Sequence, residues 1–303
     1  MYCGNGVLEN CLVVRNHADW YGSGIQFYTG GKMRNCTIAA NDNGGVKHQF
    51  SVVDFGSEGR NCIVYHNAGS DISSDYYISV AYLYTCTPSW SGTGNVTADP
   101  QLTPDFRLRA ASPCIDAGIE AGAPGLDGDD EPRWDDPRHA NAVSCFDIGQ
   151  DEFVDTNLNA MADTWEWTTF SNLTHAAGAD DDHDHLSALG EYEHATLALC
   201  ADTDGDGMPD GEEVVADTDP NDALSRLVIS DIVAGPDGIS ISWQGGVNVT
   251  QYLDRCGRLP AEPADWNVIL TNAPPTPVSN ILNDSAAPAP GAFYRLRVEG
   301  TWH

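Results

Sequence analysis

The chain is short of bases: 14 Lys and Arg stand against 45 Asp and Glu in 303 residues, a formal charge of −31. Binding to phosphate requires a basic surface, so nucleic acid is excluded as a partner. An anionic membrane face is excluded on the same ground. No apolar run approaches the ~20 residues that a membrane-spanning helix needs, so no membrane span is expected. None of the nine cysteines forms a CxxC pair, which argues against a zinc ribbon or a thioredoxin-type site. The opening residues Met1-Tyr2-Cys3-Gly4-Asn5 carry neither a basic nor an apolar signal region. They read as the inside of a repeat, so the true N-terminus and its signal peptide are expected upstream. What the chain does contain is 41% apolar residues, enough for cores, with 30 Gly and 17 Pro. That composition points to β structure and turns, and the length to two or three domains.

Self-similarity comes next. Asn10-Cys11-Leu12-Val13-Val14-Arg15-Asn16 recurs as Asn35-Cys36-Thr37-Ile38-Ala39-Ala40-Asn41 and as Asn61-Cys62-Ile63-Val64-Tyr65-His66-Asn67. A period near 25 with one short β-branched strand per copy fits the coils of a right-handed parallel β-helix over residues 1–98. Equivalent residues then stack about 4.8 Å apart. Cys11, Cys36 and Cys62 form one ladder of small buried hydrophobes, and stacked thiols holding a metal are the alternative. Val13, Ile38 and Val64 point inward. Arg15, Ala40 and His66 cannot all be interior, so the strand turns there. Asn16, Asn41 and Asn67 are placed at that turn, where Asn tolerates a left-handed backbone and can bond its stacked neighbours.

Residues 99–153 carry a further pattern: Asp99-Pro100-Gln101-Leu102, Asp105-Phe106-Arg107-Leu108, Ser112-Pro113-Cys114-Ile115-Asp116-Ala117-Gly118, Asp127-Gly128-Asp129 with Pro132-Arg133, and Asp147-Ile148-Gly149-Gln150-Asp151-Glu152. This order resembles the terminal part of secreted bacterial β-helix proteins of the choice-of-anchor type. It departs from them at Leu102, where they have an aromatic, and at Gln150-Asp151. The resemblance spans residues 1–153 and implies secretion and architecture more than activity. Cys114 and Cys145 flank this cap and are candidates for a disulfide in an oxidising compartment.

The acids are concentrated. Between Asp127 and Asp222 lie 27 of them with only Arg133 and Arg138 as bases, a block that repels itself unless solvated or bound to cations. Within it, Asp202, Asp204, Asp206, Asp210 and Glu213 hold positions 1, 3, 5, 9 and 12 of a twelve-residue loop, with Gly207 at 6. Calcium is a hard cation that takes 6–8 oxygens, and this spacing supplies them. The Met208 carbonyl adds a ligand at position 7, Asp210 acts directly or through water, and Glu213 is bidentate. Asp180, Asp182, Asp184 and Glu191 form a second copy, with the Leu186 carbonyl at position 7, Ala188 at 9 and His185 in place of Gly. Asp155, Asn157, Asn159, Asp163 and Glu166 form a first, with less charge. His183 and His185 read as degenerate loop positions rather than a transition-metal site. The loops resemble thrombospondin type 3 and dockerin-like repeats of secreted bacterial proteins, which implies Ca²⁺ as the bound ion. Short helices are expected near residues 164–172 and 186–196.

The last stretch alternates strand-like runs with Pro and Gly clusters, as in Ile239-Ser240-Ile241-Ser242-Trp243. Five or six short strands predict a small β-sandwich, similar in outline to fibronectin-like domains. The chain is thus expected to be mainly β. Coils and cap occupy residues 1–153, a calcium-loop segment with short helices 154–224, and the sandwich 225–303.

No acids stack at the ladder period, and residues 1–98 offer only five scattered bases. This favours a non-catalytic extracellular or cell-surface protein for adhesion or anchoring, with a polysaccharide or protein as partner. A pectate-lyase-like lyase or a glycosidase, whose active coils would lie upstream, and a dockerin-like docking module are the alternatives.

Overall fold

The computed structural model describes residues 2–3, 6–19, 23–27, 30–49, 57–74, 80–88, 90–259, 265–287 and 291–299. They divide into two compact units, residues 1–175 and 176–303.

The first unit opens with eleven short strands: β1 (Tyr2–Cys3), β2 (Val7–Glu9), β3 (Leu12–Val14), β4 (Ile25–Phe27), β5 (Lys32–Arg34), β6 (Thr37–Ala39), β7 (Val46–His48), β8 (Ser57–Arg60), β9 (Ile63–Tyr65), β10 (Ile72–Ser74) and β11 (Val80–Leu83). They form three parallel sheets, β1-β4-β7-β10, β2-β5-β8-β11 and β3-β6-β9. Every third strand pairs with its equivalent one coil on, which is a parallel β-helix. The register places Val13 on Ile38 and Ile38 on Val64, and all three are buried. The coils are therefore filled by one β-branched residue per turn of this sheet, joined by Ile25, Phe27, Met33 and Cys36.

The Asn ladder is continuous. Asn16 Nδ2 donates to Asn41 Oδ1 at 2.9 Å, Asn41 Nδ2 to Asn67 Oδ1 at 2.8 Å, and Asn67 Nδ2 to Asp71 Oδ1 at 2.8 Å. The left-handed backbone falls one residue earlier than the sequence implied, at Arg15, Ala40 and His66. It also falls at the other Asn of each copy, Asn10, Asn35 and Asn61, with φ near 48°. That second Asn column faces the cap. Asn10 Nδ2 donates to the Leu126 and Asp127 carbonyls, and Asn61 exchanges hydrogen bonds with the Ile119 backbone. Gly149 N donates to the Asn61 carbonyl at 2.9 Å. The cap is thereby stitched to the coils by the same residues that bend them.

Within the cap, Arg133 and Glu152 form a buried ion pair at 2.7 Å, and Arg133 stacks on Phe146. Cys114 and Cys145 are both free thiols. The disulfide considered for them is not formed: Cys114 is buried and Cys145 partly exposed, each as a free thiol. The unit ends in helix α1 (Asp163–Phe170), where Trp165 packs edge-on to Phe170 at 5.6 Å.

The second unit begins with two short helices, α2 (Ala188–His194) and α3 (Asp210–Ala216). Two antiparallel sheets follow. One is β12 (Val228–Gly235), β13 (Gly238–Gln244) and β16 (Ser279–Asp284), and the other β15 (Asn267–Asn272), β14 (Gln251–Cys256) and β17 (Phe293–Val298). Ile241 and Trp243 of the first sheet pack with Leu253 of the second, flanked by Leu270, Leu282 and Leu296. This is a small sandwich. Trp243 is core, with its Nε1–H donated to Gln251 Oε1 at 2.7 Å. Asp217, the residue that ends α3, accepts from the backbone N–H groups of Val247 and Asn248 at 2.8 Å each.

Candidate metal centres

The three acidic loops share one hydrogen-bonded frame. In the third, Asp202 Oδ1 accepts from Gly205 N and Asp206 N, and Oδ2 from Gly207 N. In the second, Asp180 accepts from His183 N, Asp184 N and His185 N. In the first, Asp155 accepts from Asn159 N and Ala160 N. The position-5 side chain then accepts from the N–H of position 7: Asp206 from Met208, Asp184 from Leu186, Asn159 from Met161. Positions 4 and 6 are left-handed in all three, at Leu158 and Ala160, His183 and His185, and Gly205 and Gly207. His185 thus takes the conformation that Gly207 reaches at lower cost.

Each loop runs straight into a helix whose first residue is position 9: Asp163, Ala188 and Asp210. One turn later the position-12 glutamate points back. Glu166, Glu191 and Glu213 are all buried, at 0%, 1% and 0% exposure. The third helix was not foreseen in the sequence, because Asp210-Gly211-Glu212-Glu213 carries no apolar periodicity.

The chemistry of the three loops differs. In the third, Asp204 Oδ2, Asp206 Oδ2 and Glu213 Oε2 are buried without a hydrogen-bond partner. The nearest base, Arg226, is 3.8 Å from Asp206. Asp202, Asp204 and Asp206 bring carboxylate oxygens within 4.8 Å of one another. Thr218 Oγ1 donates to the other oxygen of Glu213 at 3.1 Å. Burial, with the charges of Asp204, Asp206 and Asp210 added, pushes the Glu213 carboxyl up to about 8. Such a group is costly unless a cation or a proton neutralises it. A donor set made wholly of hard oxygens fits calcium and offers nothing to a soft metal.

The second loop repeats this arrangement. Asp180, Asp182 and Asp184 lie within the same 4.8 Å limit. Asp182 Oδ2 and Glu191 Oε1 are buried and unpartnered, and Thr196 Oγ1 donates to Glu191 Oε2. Thr196 and Thr218, each five residues after the glutamate, hold one of its oxygens and leave the other facing in. Sequence reasoning passed over them, although the shared Glu-x4-Thr spacing was there to be read.

The first loop is satisfied from within. Asn157 Nδ2 and Asn159 Nδ2 donate to the two oxygens of Glu166, each at 2.9 Å. Arg138 reaches Asp155 at 2.8 Å. The amide hydrogens meet the position-12 glutamate, the residue that carries an unpaired oxygen in each of the other loops. At position 9, Asp163 and Asp210 turn to position 2 of their own loops. Asp163 accepts from Thr156 N and Oγ1, and Asp210 from Thr203 N at 2.8 Å and Oγ1 at 2.6 Å.

A further acidic group in the cap, Asp127, Asp129 and Glu131, is largely taken up in its own turn. Asp127 accepts from the N–H groups of Asp129, Glu131 and Glu152, and Arg107 pairs with Asp129 at 3.3 Å.

Residues 202–223 match the family profile described as the bacterial TSP3 repeat. No curated protein and no solved structure matches the chain. The profile covers the third loop, helix α3 and the Asp217-Thr218-Asp219-Pro220 turn, the stretch that holds the buried oxygens of Asp204, Asp206 and Glu213 without a hydrogen bond. No helix among the described residues is long and apolar enough to cross a membrane.

Proposed function

We propose that the chain is a non-catalytic extracellular or cell-surface protein: a β-helix stalk of the choice-of-anchor kind, a calcium-dependent loop segment and a terminal sandwich. Its role is adhesion or anchoring on a polysaccharide or protein surface. The observation that carries the reading is the trio of buried oxygens without a hydrogen bond on Asp204, Asp206 and Glu213, of which only that of Asp206 has a base nearby, Arg226 at 3.8 Å. Buried carboxylate oxygens without donors cost several kcal/mol, and a divalent cation is the ligand that turns this cost into stabilisation. The likeness of residues 202–223 to a bacterial TSP3 repeat supports the same conclusion.

Calcium is held by the third loop, through Asp202, Asp204, Asp206, the Met208 carbonyl and Glu213. The second loop holds it through Asp180, Asp182, Asp184, the Leu186 carbonyl and Glu191. The first loop uses its own amides and Arg138 in place of an ion. Extracellular modules of this type bind in the range of about 10⁻⁴–10⁻³ M, so millimolar calcium outside a cell fills them. Limited proteolysis with calcium or with EGTA tests the reading. Cleavage within residues 176–222 is expected only in EGTA, and equal resistance in both would refute calcium-dependent ordering.

A further inference from the structure

The second loop lacks an acid at position 9, where Ala188 stands. Its place is taken from the neighbouring repeat. Asp184, Glu191 and Asp210 each bring one carboxylate oxygen within 4.8 Å of the others, and all three residues are buried, at 3%, 1% and 0% exposure. Asp210 belongs by sequence to the third loop. The approach is built into the backbone: Asp184 Oδ2 accepts from Gly211 N at 2.9 Å. A Cβ on Gly211 would fall 2.5 Å from the Asp184 carbonyl oxygen, so only glycine lets the start of α3 lie against the second loop.

An independent observation points to a ligand here. Glu191 Oε1 has no hydrogen-bond partner although the residue is 1% exposed. Three buried carboxylates that mutually repel call for a cation.

We infer that Asp210 is a ligand of the second repeat's calcium ion, so that the ion joins two consecutive repeats across Asp184, Glu191 and Asp210. This rests on the proposed calcium binding and deepens it. Within its own loop Asp210 is a staple for Thr203, and toward the preceding loop it is a ligand. The consequence is reciprocal coupling: filling the second site fixes the first turn of α3, which also carries Glu213 of the third site, so each ion favours the other.

The test is calorimetric calcium titration of the full chain in two backgrounds. Glu213→Gln disables the third site and leaves the second to be read, and Glu191→Gln does the reverse. Asp210→Asn, which keeps an acceptor for Thr203, is then added to each. The inference expects Asp210→Asn to weaken the remaining site at least about tenfold in the Glu213→Gln background, and less than about threefold in the Glu191→Gln background. The opposite pattern, with the loss confined to the Glu191→Gln background, would overturn it. Gly211→Ala provides a second probe, because it forces the two repeats apart while leaving the Asp210 side chain intact; the same selective loss is expected. If neither Glu191→Gln nor Glu213→Gln removes a bound ion, the calcium reading itself fails, a result distinct from either pattern above.

Discussion

Asn41 shows how much a single side chain carries in the coils. Its Nδ2 donates to the Val13 and Ala39 carbonyls and to Asn67 Oδ1, and its Oδ1 accepts from Asn16. All of this is buried at 1% exposure. Asn41→Ala removes the two amide hydrogens shared among the Val13 and Ala39 carbonyls and Asn67 Oδ1, of which Asn67 Oδ1 keeps the Asn41 N–H as a donor, and each buried acceptor left short costs about 1–3 kcal/mol. Urea unfolding of the first unit is expected to show a loss of about 3 kcal/mol, and Asn16→Ala, at the exposed end of the ladder, a loss below about 1 kcal/mol. Equal losses would show that the ladder does not stabilise the stack. Asp151 acts through pH. Burial pushes its carboxyl up to about 8 against the pull of Arg107, so the folded state holds a proton that the unfolded state releases near pH 4. The folded state therefore binds more protons between about pH 4 and 8, and stability falls as pH rises through that window. One proton gives a slope of at most about 1.4 kcal/mol per pH unit. Asp151→Asn, which still accepts from Leu108 N, is expected to flatten that slope in melts run from pH 4 to 9.

At the level of elements, the loop-plus-helix unit explains both why three copies look alike and why they differ. The frame of position-1 carboxylate, left-handed positions 4 and 6 and a helix starting at position 9 is common to all three. Amides at positions 3 and 5 meet the glutamate in the first loop, and carboxylates there leave it open to the cation proposed for the other two. Asn157→Asp combined with Asn159→Asp removes both donors to Glu166 and should make the first unit calcium-dependent. Its melting temperature would then fall in EGTA and recover in millimolar calcium, a response absent from the first unit of the parent chain.

Much of this was legible in the sequence. The Asn-Cys repeat gave the coil period and the inward Val13, Ile38 and Val64, because a buried face leaves a β-branched signature every 25 residues or so. The acids of Asp202–Glu213 gave the third loop, because oxygen ligands need a fixed spacing. Hidden were the features that depend on long-range contact. These are the Asn10, Asn35 and Asn61 column that receives the cap, the Arg138–Asp155 pair that closes the first loop, and the approach of Asp210 to Asp184. Helix α3 was hidden for another reason: seven residues anchored by a loop and by Asp217 need no apolar stripe of their own.

For the whole molecule, the account makes the two units respond differently to one ion. Residues 176–303 hold both proposed calcium sites, and residues 1–175 hold only the loop closed by amides. A ligand that binds the folded state stabilises it by RT ln(1 + [L]/Kd), about 1.4 kcal/mol per site at ten times Kd. Scanning calorimetry should therefore show one transition that shifts upward with calcium and one that does not. The most direct test is a calcium titration of the chain by calorimetry after stripping with EGTA. The account predicts heat of binding at submillimolar to millimolar calcium, a stoichiometry of two, loss of one ion with Glu213→Gln, and little effect of magnesium, whose tight octahedron suits these loops poorly. Absence of binding heat up to about 10 mM calcium, well above the extracellular range, would contradict it and leave the acidic block as a solvated surface.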